Sequence, residues 1–290
     1  MEKITLNNYY EDKIYVSNSM LNDFVRFTKT WKKYYTPDIY NTLHVENICR
    51  LEQTPAMKVW SIVDEYFADW VDVFNKYQVV DKRTKAWKEL FTTNPELCIT
   101  SDELNRITFL INALSNNKRF MDLFKEPTLN KQPLYTWKYE WTDSDWIVNS
   151  INIKWKFDFY LPEKNIVIDL KTTANITDRI NEMQWDWIPD INHKYFRQLA
   201  LYNYLTWKDN ECWLCFVYDK DTYVSNTDKQ IKMWMVKWIK IPKQILEKSL
   251  ESIFEDLTNL KKYYDNWFTI DYEELNNQLF NLSEEEKDLI

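Results

Sequence analysis

Glycine is absent from this chain of 290 residues, where about 7%, or roughly 20 residues, would be usual. Histidine occurs twice, at His44 and His193, and neither sits in a zinc-ligand spacing. Four cysteines are too few for a disulfide scaffold. Cys212 and Cys215 fall in an apolar run and read as buried thiols. No apolar stretch approaches the roughly 18 residues needed to cross a bilayer. The opening Met-Glu-Lys leads into a polar stretch and not into a secretory signal. These absences point to a soluble protein of a reducing cytoplasm. Net positive charge is missing too: the balance is −8. That excludes a non-specific nucleic-acid coat protein. It leaves room for an enzyme on DNA, because carboxylates at a metal site are themselves acidic and a local basic groove holds a phosphate backbone.

What is present is a hydrophobic fraction of 45%, an aromatic fraction of 17% and 15 tryptophans. Such a chain buries a large core. Several tryptophans stand where backbone physics asks for glycine. Trp207 follows a helical segment and precedes Lys-Asp-Asn, the left-handed C-terminal cap position. Trp146 follows Asp143-Ser144-Asp145 between strand-like runs, where Asp-Gly would make a hairpin turn. Tryptophan at positive φ costs on the order of 1–2 kcal/mol per site. The pattern is that of a gene whose UGA codons specify glycine, translated as though they specified tryptophan. The abundance of Asn, Lys, Ile and Tyr suits an AT-rich genome. A genuinely Trp-rich, Gly-free protein is the other reading.

Along the chain, Ser17 caps an expected helix that includes residues 22–27. Residues 36–56 read as irregular. Helical spacing of Val59, Ile62, Val63, Tyr66 and Phe67 predicts a helix over 56–74, with more helix over 82–92 and 101–125. Pro127 and Pro133 bracket a boundary. From Leu134 the period changes to two, which predicts strands over 134–139, 147–160 and 165–170. Pro162-Glu163-Lys164-Asn165 is the turn between the last two. A helix over 192–205, strands near 212–218 and 231–241 and a helix over 245–264 complete the order. The expected fold is α/β, a small mixed sheet flanked by helices in one domain. Residues 1–130 are mainly helical, 131–245 hold the sheet and 246–290 are helical again.

Two strands joined by a tight turn bring Asp158 and Asp169 together. Asp169 and Lys171 are two apart and share a face. An aspartate ending the run Ile166-Val-Ile168 is costly if buried unpaired. A divalent cation shared by both carboxylates would remove that cost, and its hard oxygen donors suit Mg²⁺ or Mn²⁺. Lys171 could orient water or stabilise charge developing on a phosphate. An ordinary hairpin with an Asp–Lys pair is the alternative. Arg26, Lys29, Lys32 and Lys33 interleave with Phe24, Phe27, Tyr34 and Tyr35, as a segment tracking a phosphate backbone would. A solvated amphipathic helix explains them equally. Arg197 is a further candidate contact to DNA.

The ordered pattern Asp158, Asp169-Leu-Lys171 and Gln198-Leu-Ala-Leu-Tyr202 resembles the RecB-like branch of the PD-(D/E)xK nucleases. That branch, whose core is restriction-endonuclease-like, carries Gly-x-x-Asp, then (Asp/Glu)-x-Lys, then Gln-x-x-x-Tyr on the next helix. The opening Asn8-Tyr9-Tyr10-Glu11-Asp12 and Tyr15-Val-Ser17-Asn-Ser19-Met-Leu21 look like the start of its exonuclease VIII-like phage group. The resemblance implies that Asp158, Asp169, Lys171, Gln198 and Tyr202 form a catalytic centre. Related nucleases often place a metal-binding histidine where this chain has Asp64, so Asp64 joins Asp158 and Asp169 as a candidate ligand, with Glu65 a weaker one. Trp155 stands at the motif glycine, and Trp60 at a helical glycine of the first motif. Some relatives hold an iron–sulfur cluster with four cysteines, but Cys49 and Cys98 lie apart from the Cys212–Cys215 pair. The implied activity is Mg²⁺- or Mn²⁺-dependent exonuclease action on linear DNA in phage or bacterial recombination or replication. The implied partner is a single-strand annealing protein; homo-oligomerisation stays open. A structure-specific or restriction-type endonuclease and a non-catalytic DNA-binding or assembly protein are the competing readings.

Overall fold

The computed structural model describes residues 14–27, 33–46, 54–70, 72–81, 83–94, 97–173, 184–185, 188–189, 193–206, 208–218, 236–266 and 268. The Ser17 hydroxyl accepts from the Met20 N–H and starts α1 (Asn18–Phe24). The helix stops at Phe24, short of the expected end. Val25 begins β1 (Val25–Phe27), which pairs antiparallel with β2 (Lys33–Tyr35); β-branched and aromatic residues favour that pairing. The stretch read as irregular holds α2 (Pro37–Tyr40) and a π-helical turn over Asn41–Val45. Proline in the first helical turn is well tolerated.

Next comes α3 (Pro55–Asp69), capped by the Thr54 hydroxyl, with Val59, Ile62, Val63 and Phe67 buried along one face. It ends five residues before the expected Phe74, because Trp70 turns left-handed at φ 54. Then follow α4 (Val73–Lys76), β3 (Gln78–Val79), α5 (Lys85–Thr93), β4 (Cys98–Ile99), α6 (Ser101–Ser115) and α7 (Lys118–Leu123). Thr100 and Glu103 form a full capping box on α6. The helix expected over 101–125 is therefore two helices, since the Asn117 side chain caps α7 by accepting from the Phe120 N–H.

The sheet region contains β5 (Asn130–Lys131), β6 (Leu134–Thr142), β7 (Val148–Lys156), β8 (Phe159–Leu161) and β9 (Ile166–Thr173). The short pair β10 (Gln184–Trp185) and β11 (Ile188–Pro189) follows, then α8 (Lys194–Leu205), β12 (Glu211–Tyr218), β13 (Val236–Ile241) and α9 (Lys243–Asp265). The central sheet runs in the order β13-β12-β9-β8-β5. β12 lies parallel to β9, reached through α8, and the other pairs are antiparallel. The mixed α/β architecture expected from the sequence is the one observed. One expected strand is divided: β7 pairs with β6 as a separate hairpin, and the chain bends at Phe157-Asp158 before β8 joins the central sheet. The main chain at that bend is held from outside both strands. The Phe157 N–H donates to the Pro133 carbonyl at 3.2 Å, and the Asp158 carbonyl accepts from the Gln132 N–H at 2.9 Å.

Apolar clusters cover both faces of the sheet. Val167, Cys212, Leu214 and Phe216 pack with α1, α8 and α9. Ile168, Leu170, Cys215 and Val217 pack with α3, α6 and α7. The alternation of β9 thus turns Asp169, which follows Ile168, toward the side that carries Val167. Among the described residues no helix is long and apolar enough to cross a membrane. Residues 231–235 of the last expected strand lie outside the described residues.

Candidate active site

Antiparallel pairing sets Phe159 against Ile168, which leaves Asp158 beside Asp169 at the next step. The Asp158 carboxylate accepts from the Leu170 N–H at 2.6 Å. Asp169 is 0% exposed, and its Oδ2 lies 2.7 Å from Lys171 Nζ. Its Oδ1 has no hydrogen-bond partner among the described residues. Lys171 Nζ also donates to Gln198 Oε1 at 3.1 Å and lies 5.4 Å from the centre of the Tyr195 ring. Gln198 donates in turn to the Tyr202 hydroxyl, which donates to the Lys156 carbonyl at 2.8 Å. The four-residue spacing on α8 makes this relay possible, because Gln198 and Tyr202 share a helix face. One continuous chain of polar contacts runs from Asp169 through Lys171 to α8.

Asp64 comes from α3. Its Oδ2 accepts from the Gln132 amide, and its Oδ1 is buried with no partner among the described residues. A cavity of about 580 Å³ is lined by Asp64, Gln132, Lys156, Asp158, Gln198 and Tyr202, among others. Asp169, fully buried beside Asp158, is not among the residues that line it. Glu65 also reaches the cavity but is engaged by Lys76 and the Tyr77 hydroxyl. Burial, and then the Asp158 charge, pushes the Asp64 carboxyl up to about 7, against the pull of Lys156 and Lys171. Burial raises Asp169 likewise to about 7, with Lys171 opposing and Asp158 adding to the rise. Burial works against the Lys171 ammonium, but Asp169 and Asp158 outweigh it and hold the proton above the ordinary lysine value.

These shifts set a pH dependence. Both carboxyls titrate at about 7 when folded, against 3.8 ordinarily. Between those values the folded protein binds more protons than the unfolded chain, so its stability falls as pH rises. The protein is expected to lose melting temperature as pH rises from roughly 4 to roughly 7. Thermal melts across that range check this; a flat profile would mean the two carboxyls are not held as described.

Sequence reasoning missed Gln132 and Lys156. Lys156 lies two residues before Asp158, but the bend between them breaks the strand periodicity that would have placed it. Gln132 carried no signal beyond preceding Pro133. The expected DNA contacts fare differently. Lys29 and Lys32 lie outside the described residues. Arg26 pairs with Asp23, and Lys33 is tied to Glu255 and Asp256. Arg197 is not at the surface: it is 0% exposed and bonded to Asp256 at 2.7 Å, also 0% exposed. A guanidinium so enclosed does not meet a phosphate backbone. Cys98, Cys212 and Cys215 are buried, while Cys49 lies outside the described residues.

A family model for a PDDEXK-like domain of unknown function (DUF3799) matches residues 31–266. The chain matches no curated protein sequence. Among solved structures it is similar to a phage related exonuclease from Haemophilus somnus 129PT, at 16% identity and a TM-score of 0.31. That match covers 78% of this chain and 98% of the other. It is also similar to the SSO0001 protein, at 14% identity and a TM-score of 0.28, over 69% of this chain and 85% of the other. Neither structural likeness bears on what this chain does.

Proposed function

This chain belongs to the PDDEXK-like domain family, and from that premise we propose that it is a divalent-metal-dependent exonuclease acting on linear DNA. The observation that carries the reading is the set of carboxylates around Lys171. Asp158 and Asp169 are register neighbours, and Asp64 and Asp169 each keep a buried oxygen without a hydrogen-bond partner among the described residues. Buried carboxylate oxygens left unpaired are costly, and a hard cation such as Mg²⁺ or Mn²⁺ fits them. Among the described residues no three or more His, Cys, Asp and Glu side chains converge tightly enough to enclose an ion. Mg²⁺ sites commonly use one or two carboxylates, with water and substrate phosphate filling the shell. Asp158 and Asp169 would hold the ion directly, with Asp64 in the same cavity wall reaching it through bound water, and the ion when bound supplies a polarised phosphodiester and a more acidic water.

The chain's own groups do the rest. The Leu170 N–H fixes the Asp158 carboxylate. Lys171, held by Asp169 and Gln198, presents a cation to charge developing on the scissile phosphate. Tyr202 locks Gln198 against the Lys156 carbonyl. Lys156 and Lys194 in the cavity wall add positive charge for the DNA backbone. The test is a pair of substrates. With Mg²⁺, linear duplex DNA is expected to be degraded while a covalently closed circle survives, and EDTA should stop the reaction. Equal cutting of the closed circle would favour an endonuclease. Undiminished cleavage in EDTA would remove the metal from the reading.

We also propose that some tryptophans occupy glycine positions. Trp146 lies in the β6–β7 turn at φ 62 and is 87% exposed. The turn is held by the Asp143 side chain, which accepts from the N–H groups of Asp145 and Ile147. Trp70, at φ 54, ends α3 where glycine is favoured. Trp155 is buried by the cavity with its indole N–H unpartnered among the described residues, unlike an ordinary core tryptophan. Trp60 is half-buried in the same wall, and Trp207 lies outside the described residues. Trp146→Gly gives up almost no buried surface and releases about 1 kcal/mol or more of strain. The melting temperature should rise by roughly 2–4 °C. A fall on that substitution, or UGG codons at these positions in the coding DNA, would end the recoding idea.

A further inference from the structure

Gln132 stands out by its backbone before its side chain is considered. It lies between β5 and Pro133 at φ 49. A left-handed conformation is unfavourable for a residue with a Cβ, and a following proline restricts the residue before it to extended backbone. Strain of this kind persists only where surrounding contacts impose it, and it concentrates at functional sites. Two contacts impose it here. The Gln132 N–H donates to the Asp158 carbonyl at 2.9 Å, and the side-chain amide donates to Asp64 Oδ2. One residue therefore grips both sides of the cavity: the bend that carries Asp158 and the helix that carries Asp64, 68 positions earlier in the chain.

We propose that Gln132 is a positioning residue that clamps Asp64 into the metal centre, engaging one carboxylate oxygen so that the other is presented, through bound water, to the cation. The inference rests on the metal-nuclease reading above. The chemistry suits the task. A primary amide donates without carrying charge, so it orients the carboxylate without competing with the cation for it. A basic residue in its place would neutralise Asp64 and weaken its hold on a metal. The oxygen that Gln132 leaves alone, Oδ1, is the buried one without a partner among the described residues. Hydrogen-bond partners of metal ligands orient them, and their removal typically costs about 10–100-fold in metal affinity.

The test uses the full chain, Mn²⁺ alone and calorimetry. Gln132→Met keeps the bulk and removes the donor. Gln132→Gly removes the donor and also relieves the left-handed strain, so it should fold at least as stably as the parent. Both variants are expected to bind Mn²⁺ about 10–100-fold more weakly, with the Mn²⁺-induced rise in melting temperature shrinking accordingly. The metal-free melting temperature of the glycine variant should not fall. A purely structural role would leave Mn²⁺ affinity alone in that variant. Parent-like Mn²⁺ binding by both variants, with a parent that does bind, overturns the role of Gln132 and leaves the nuclease reading standing. A parent that binds no Mn²⁺ overturns the metal reading and the clamp with it.

Discussion

Asp169→Asn is expected to lower cleavage of linear DNA by about a thousandfold. The estimate follows from the loss of a carboxylate ligand, since metal-assisted stabilisation of charge in the transition state is worth several kcal/mol and each 1.36 kcal/mol is about tenfold in rate. Asparagine keeps the shape of the side chain and one oxygen for Lys171, which lies 2.7 Å from Asp169 in the parent. The fold should therefore survive. The variant should retain a cooperative thermal transition while its affinity for Mn²⁺ drops. Lys171→Met separates the two contributions. It removes the cation near the phosphate but none of the proposed ligands, so Mn²⁺ binding should persist while cleavage is lost. If Asp169→Asn cuts within about threefold of the parent, Asp169 holds no essential metal and the candidate site is misplaced.

The readable part of the site was the part fixed by local geometry. A four-residue turn joins β8 to β9, so the register that sets Asp158 beside Asp169 follows from counting. Gln198 and Tyr202 lie one helical turn apart on a single helix. Asp64 and Gln132 belong to different elements, and their contact depends on packing and on a left-handed residue that no periodicity announces. The division of the expected strand over 147–160 was hidden for a related reason. The apolar pattern runs unbroken through Phe157 and Phe159, yet the hydrogen-bond partners change at Asp158 from β6 to β9 and β5. Helix ends were legible where a side chain caps them, as at Ser17, and illegible where the signal was a tryptophan in a glycine conformation, as at Trp70.

Arg197 was misread because a charged residue is almost always exposed unless it is paired, and its partner lies 59 positions away. Arg197→Met should therefore destabilise the fold without touching DNA affinity. The guanidinium donates to Asp256 Oδ2 at 2.7 Å and to the Ser252 hydroxyl at 3.1 Å. Asp256 Oδ1 is met by Lys33 Nζ at 2.8 Å and by the Tyr35 hydroxyl at 3.2 Å. The cluster joins α8 to α9 and to the β1–β2 hairpin. Breaking a buried pair costs about 3–5 kcal/mol when the remaining charge is left alone; Lys33 still meets Asp256, which puts the cost at the low end, about 3 kcal/mol. At roughly 2–4 °C per kcal/mol for a chain somewhat smaller than this one, the melting temperature should fall by about 10 °C. Arg197→Met combined with Asp256→Leu and Lys33→Met should recover much of that loss, because apolar replacement of a whole buried charge cluster is often neutral. DNA affinity supplies the opposing measurement. A phosphate contact contributes about 0.9 to the slope of log affinity against log salt, so a surface role for Arg197 would make the slope shallower by about that much. With Arg197 enclosed beside Asp256, the slope should match the parent at a temperature where the variant is folded. A parent-like melting temperature together with a reduced salt slope would return Arg197 to the DNA surface.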